Sequence, residues 1–256
     1  MCFDVYPDGE SFDPSMLPLP IDLQQATSNE LALAWRKQWE AGQELRIRFL
    51  DGDSGLHARV AKLAAQWLDY ANLSFNFGNH STAEIRISFA NYGNWSAVGT
   101  DALQRPDPMP TMQLGGFTTL SDETQLRRAV LHEFGHAIGC VHEQASPAIA
   151  IPWDEPKVYQ YYRETIGWDD ATIFRNVLFR YSQQDTRFTQ HDAHSIMQYP
   201  VPKELTIGGF EIGWNTDLSE SDKAFIAKMY PRPRSLPSLA TRAWQNPVSA
   251  RQRCSD

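Results

Sequence analysis

Eleven residues constrain this chain more than any other stretch: His132-Glu133-Phe134-Gly135-His136-Ala137-Ile138-Gly139-Cys140-Val141-His142. On a helix, positions i and i+4 lie about 40° apart in projection, so His132 and His136 face the same way, one turn apart. That spacing lets two imidazoles grip one zinc ion at about 2.0–2.1 Å each. Glu133 points about 100° round from His132, near enough to reach a metal-bound water without displacing it. Gly139 is expected to end the helix, because glycine accepts the left-handed backbone that turns a chain sharply. His142 can then swing back as a third ligand. Three histidines leave a fourth position open to water, which marks a catalytic zinc site over a structural one.

Chance does not explain this pattern. At this composition a His-Glu-x-x-His arises in roughly one shuffled chain per hundred, and adding Gly139 and His142 lowers that by a further factor of about 600. Nor does simple core packing explain it. Three buried histidines and a glutamate would need many polar partners, whereas one zinc ion satisfies the imidazoles at once.

The rest of the chain narrows the setting. With 42% hydrophobic residues in 256, it can bury a sizeable core, so global disorder is excluded. A net charge of -8 suits no nucleic-acid backbone. No run approaches the roughly 20 apolar residues of a membrane helix, and no signal peptide is legible at the N-terminus. Those features predict a soluble protein without a membrane span. Cys2, Cys140 and Cys254 are too few and too scattered for a disulfide framework or a cysteine zinc site.

Charge divides the chain into three parts. Residues 1–30 carry six acidic residues and no Lys or Arg, while residues 231–256 carry five Arg and only Asp256. Both ends are rich in Pro and Ser, and predict an acidic N-terminal segment over 1–30, a folded body over 31–231 and a basic tail over 232–256. Within the body, Glu44–Phe49, Leu73–Phe77 and Glu84–Phe89 alternate as strands do. Between the first two, Leu56, Val60, Leu63, Ala64, Trp67 and Ala71 share one helical face, with Ser54 as N-cap. Strand, helix, strand predicts neighbouring parallel strands. Thr111–Leu114, preceded by Pro106, Pro108 and Pro110, is expected to be an edge strand. A helix opened by Ser121 is expected to carry the histidines to Gly139, with others at 155–165, 169–181 and 219–229. The fold class is therefore α+β, one domain with two lobes.

The motif from His132 to His142 resembles the zinc-binding consensus of the metzincin clan of metallopeptidases. Glu143, directly after the third histidine, is similar to the astacin family in particular, and Ser195-Ile196-Met197-Gln198-Tyr199 resembles its Met-turn. Trp95–Gly99, Val130-Leu131, and Leu218-Ser219 with Asp222 near Tyr230-Pro231 resemble bacterial and fungal members, over about residues 35–231. This resemblance implies a metzincin-like two-lobed zinc peptidase. A twisted mixed sheet and the zinc helix would form the upper lobe, and a mostly helical or irregular chain after Gly139 the lower one. It implies one catalytic Zn2+ on His132, His136 and His142, with Met197 as a floor beneath it. Tyr199 would stabilise the transition state, although a packing tyrosine is the alternative on sequence alone. Glu143 would contact the N-terminus of the mature enzyme, near residues 26–30, in line with Trp39 as the family's early tryptophan. The resemblance also implies an extracellular enzyme acting on protein or peptide substrates.

The expected activity is that of a zinc metalloendopeptidase, with Glu133 as general base to a zinc-bound water. A catalytically inactive zinc-containing binding module is the second reading, and a zinc hydrolase of non-peptide amides the third. Substrate is expected to pair with Thr111–Leu114. For residues 1–30, plain solvation stands beside a short pro-segment in which Cys2 or an Asp blocks the zinc. Cys140 is expected to be a small buried residue. His191 and His194, beside Asp192, could add ligands, but with three already assigned a loop position or an ordering contact to the Met-turn is expected, and His57 and His80 are expected to lie on the surface.

Overall fold

The computed structural model describes residues 37–146, 149–180 and 191–233. The acidic segment with Cys2, and the basic tail from residue 234 with Cys254, lie outside these residues, so the expectations for them stand only as such.

Among the described residues, five strands form one mixed sheet in the order β2-β1-β3-β5-β4. β1 (Glu44–Phe49) lies between β2 (Ser74–Phe77) and β3 (Ile85–Ser88), parallel to both. Its alternation is functional in the packing sense: Leu45 and Ile47 are completely buried while their neighbours are not. β5 (Met112–Leu114) follows β3 in parallel, and β4 (Asn94–Ser96) closes the sheet antiparallel to β5. The segment expected at the edge is thus an interior strand, paired on both sides, and β4 is the edge. The three prolines precede the ladder and take no donor from it. Gly115 permits the return, since a Cβ there would overlap the backbone oxygens of Asn91 and Gly93.

Helix α1 (Ser54–Ala64) continues into a tighter 3-10 turn over Ala65–Asp69. All six residues expected on its apolar face are buried, Ala71 just beyond the turn among them. Its cap is Asp53 and not Ser54: the carboxylate accepts the N–H groups of Gly55 and Leu56 at 2.9 and 3.0 Å. Helix α2 (Glu123–Ala137) is also capped by the Asp beside the expected Ser, here one residue later, Asp122 accepting Gln125 N–H at 2.9 Å. The Ser121 hydroxyl is engaged elsewhere, accepting from Thr118 N–H. Leu126, Val130, Leu131 and Phe134 bury the inner face of α2, with the Phe134 ring tilted against Phe75 at 5.4 Å between centroids. Sheet and two helices thus share one core.

After Gly139 the chain forms the second lobe. α3 (Glu155–Ile166) ends at Gly167, whose φ of 79° gives the left-handed cap. The helix expected over 169–181 is shorter: α4 (Asp170–Ile173) loosens into a π turn at Phe174–Leu178. Two small apolar clusters support this lobe, one around Val158, Tyr162 and Trp168, the other around Ile151, Val201 and Ile212. α5 (Glu220–Met229) opens on a full capping box between Ser219 and Asp222. It returns Ile226, Met229 and Tyr230 to the upper core. No helix among the described residues is long and apolar enough to cross a membrane.

Candidate active site

The zinc helix is pinned at its C-terminal end before any ligand is considered. The Trp39 indole donates to Ala137 O at 2.8 Å, and the Tyr230 hydroxyl donates to Ile138 O at 2.8 Å while accepting from Trp39 N–H. Trp67 donates to Leu131 O from the other side at 2.9 Å. Gly139 then adopts a φ of 98°, a conformation that bends the chain at no steric cost only in glycine. His142 returns over the helix, its ring centroid 4.6 Å from that of His136 and 5.4 Å from that of His132.

The ring nitrogens of His132, His136 and His142 lie within 4.8 Å of one another, two of the residues buried and the third half-buried. His132 Nδ1 lies 2.8 Å from Ile196 O and His136 Nδ1 lies 2.9 Å from Cys140 O. A ring nitrogen that donates to a carbonyl fixes the tautomer, so the opposite Nε2 presents a lone pair. Nε2 of His136 and Nε2 of His142 face each other at 3.0 Å. Two ligand nitrogens on one tetrahedral zinc stand about 3.3 Å apart. Three imidazoles with converging ring nitrogens, two of them oriented by carbonyls, are a donor set that fits zinc, and the cofactor is one zinc ion.

Glu133 is fully buried on α2 beside His132. Met197 is buried under the helix, where a Cβ on Gly135 would run into its Sδ and come within 3.1 Å of Trp67. Gly135 thus admits the Met-turn to the helix, a role that becomes visible only once Met197 is placed. The ring of Tyr199 packs 4.5 Å from His142 and 5.6 Å from His132. Its backbone N–H donates to Gln144, the residue after Glu143.

The Met-turn is tied from two directions. Glu143 N–H donates to Met197 O, and its carboxylate accepts Asp192 N–H at 3.0 Å. Burial, with Asp222 and Asp192 nearby, outweighs that bond and pushes the Glu143 carboxyl up to about 7. The expected partner of Glu143, a terminus near residues 26–30, lies outside the described residues. From the other direction, Asp222 accepts from the Ser195 hydroxyl at 2.6 Å, Ile196 N–H at 2.8 Å and Ser219 N–H at 2.9 Å. Burial raises its pKa despite those bonds. Asp222 therefore caps α5 and holds the residue whose carbonyl orients His132. The capping pattern signalled the first of these roles and nothing signalled the second.

The remaining histidines fall into place. His191 Nε2 meets Gln198 Oε1 at 2.9 Å, an ordering contact to the Met-turn, while the His194 backbone N–H bonds to Asp192. His57 is not the surface residue expected: its ring stacks on Phe49 at 4.0 Å, half-buried. His80 is half-buried too, with Nε2 2.9 Å from Asn76 O. Cys140 is buried, and desolvation drives its thiol pKa upward.

A mixed sheet, a His-Glu-x-x-His helix turned at glycine and a methionine buried against that helix define a zinc metalloendopeptidase of metzincin type. No family model matches the sequence, nor does any curated protein. Solved structures do. One of myroilysin is 38% identical with a TM-score of 0.74, covering 77% of this chain and 97% of that one. A second myroilysin crystal structure is 35% identical with a TM-score of 0.62, covering 90% of each chain. High choriolytic enzyme 1, a hatching enzyme zinc-protease of the medaka fish Oryzias latipes, matches at 18% identity and a TM-score of 0.49, over 75% of this chain and 93% of that one. The chain belongs to the astacin family.

Proposed function

We propose that residues 31–231 form one catalytic unit that hydrolyses internal peptide bonds with Glu133 as its general base. The observation that carries this reading is the convergence of three imidazoles with a fully buried glutamate next to the first of them on one helix. When bound, zinc supplies a Lewis acid that acidifies a water and polarises the scissile carbonyl. Glu133 accepts the proton of the attacking water and delivers it to the leaving amine nitrogen. Its burial keeps that carboxylate away from bulk water, where its field would be screened.

Tyr199 donates its phenol hydrogen to the carbonyl oxygen as negative charge develops there. Its packing against His132 and His142 supports this role, since the ring already lies beside the ligand cluster. Met197 is a packing floor whose thioether fills the space that Gly135 leaves, so that the two helical histidines hold their angle. The edge strand β4 offers the backbone groups that an extended peptide needs to align as an added strand.

The test is cleavage of casein by the purified full chain. The expected result is new internal termini, lost on chelation and restored by zinc. Protein holding one zinc per chain yet cutting nothing would overturn the peptidase reading in favour of a zinc-containing binding module. Tyr199→Phe should lower kcat more than it raises KM, because the proposed bond forms only as the oxyanion does.

A further inference from the structure

A cavity of about 830 Å³ opens beside the N-terminal half of α2, outside the cluster of histidines. Its walls come from the tip of the sheet, from α2, and from the segment between Ile212 and α5. Three aromatic rings line it: Tyr92, 92% exposed; Phe117, half-buried; and Trp214, 49% exposed. Exposing this much aromatic surface costs free energy, so a soluble chain keeps it where something is to be bound.

The charges around the cavity narrow what fits. Arg128 lies at its base but is not offered to a ligand. The residue is 4% exposed, its guanidinium donates to Asn215 O, and the Trp214 ring covers its face at 4.4 Å. Asp122 lies at the mouth, already capping α2 through Gln125 N–H. With Asp122 engaged by Gln125 N–H, and Arg128 by Asn215 O and the Trp214 ring, neither charge selects the ligand and the rings decide.

Position links the cavity to the active site. Arg128 precedes His132 by four residues, about 6 Å along the helix axis. An extended peptide, advancing about 3.3 Å per residue, spans a separation of that size in roughly two residues. Asn94 of the edge strand β4 also lines it, so the wall is continuous with the strand along which a peptide would align.

We propose that this cavity selects the substrate by taking one aromatic side chain of the peptide, packed among Tyr92, Phe117 and Trp214. The inference rests on the peptidase reading above and adds the substrate class to it. The test uses the zinc-loaded full chain carrying Glu133→Gln, which separates binding from turnover. Labelled octapeptides of Ala, Ser and Gly carry a single Phe, Asp or Lys at each successive position, and binding is read by fluorescence anisotropy. At one position Phe should bind roughly tenfold tighter than Asp or Lys, a typical gain for one filled apolar pocket. Adding Trp214→Ala, with retention of the fold checked by circular dichroism because the ring also covers Arg128, should erase that preference. Equal binding of the three series at every position would overturn the proposal. So would a preference for Asp or Lys, or a Phe preference that survives Trp214→Ala. Wild-type protein that binds the Phe series selectively yet cuts none of it would instead sink the peptidase reading and leave the pocket standing.

Discussion

Around the sheet, side chains from β1, β3 and β5 meet α1 and α2 in one core in which Trp67, Ile87 and Leu131 are completely buried. Beyond Gly139, Ile196, Met197 and the inner face of α5 join that core, and the rest of the described chain builds two smaller clusters of its own. The candidate active site lies across this difference. His132 and His136 stand on the helix of the large core, whereas Tyr199 arrives on the Met-turn, whose Met197 packs into that core and whose backbone is tethered by Asp222, Glu143 and His191. The contrast teaches a division of labour. Apolar packing places the helix and the buried side of the Met-turn, and a small set of hydrogen bonds fixes the backbone of that turn, and with it Tyr199, beside the histidines.

Truncating one large side chain in each lobe should break or confirm this contrast most visibly. Trp67→Ala is expected to cost about 3–5 kcal/mol, in the range of buried aromatic deletions, and also to remove the bond to Leu131 O. It should lower the melting temperature of the whole domain. Trp168→Ala in the lower lobe should open only that lobe, read by hydrogen exchange as faster amides in α3 with β1 and α2 still protected. Equal loss of protection in both lobes would show that the lobes are one cooperative unit.

Cutting the polar tether comes next in size. Asp222→Ala leaves the Ser195 hydroxyl and the Ile196 N–H without their shared acceptor. Outer-shell losses of this kind weaken metal binding about 10–100-fold. Competition with a chelator should show that drop while the sheet keeps its circular dichroism. Unchanged zinc affinity would mean that Ile196 O stays in place for His132 without Asp222.

The smallest effects are in pH, and the two regions should differ in sign. Burial raises Asp222 above its ordinary 3.8, so the folded chain keeps that proton longer than the unfolded one. The resulting contribution is full below 3.8 and lost as pH rises through the folded value. For Glu84 on the sheet, burial acts upward but the Arg46 pair outweighs it and holds the carboxyl below 4.5. Its contribution is present above 4.5 and lost as pH falls through the lowered value. Melting curves of Asp222→Asn and Glu84→Gln against pH should each flatten one of these opposite slopes. Solvent screening of the half-exposed Arg46 keeps the second slope shallow.

The same contrast governs what could be read from the chain. β1, α1, β2 and β3 were legible because alternation and the 3.6 period record which face each residue buries. β4 was not, since three residues carry no period, and without it β5 took the place of the edge. The helix caps slipped by one residue where Asp stood beside Ser, and the carboxyl group took the N–H groups in both cases. In the lower lobe, periodicity overextended α4, which loosens at Phe174. The histidines were legible because their spacing is itself the geometry of the site. Their orienting partners, Ile196 O and Cys140 O, were not, because every residue has a carbonyl. Gly135 was silent for a related reason: its lack of a side chain matters only against Met197.

The central claim is that Glu133 moves the proton while three histidines hold the metal. It is tested most directly by measuring zinc content and peptide turnover together in Glu133→Gln. The account predicts one zinc per chain, as in the wild type, with kcat lowered about 10²–10⁴-fold, the usual worth of a general base. Turnover at the wild-type rate with zinc in place would contradict it.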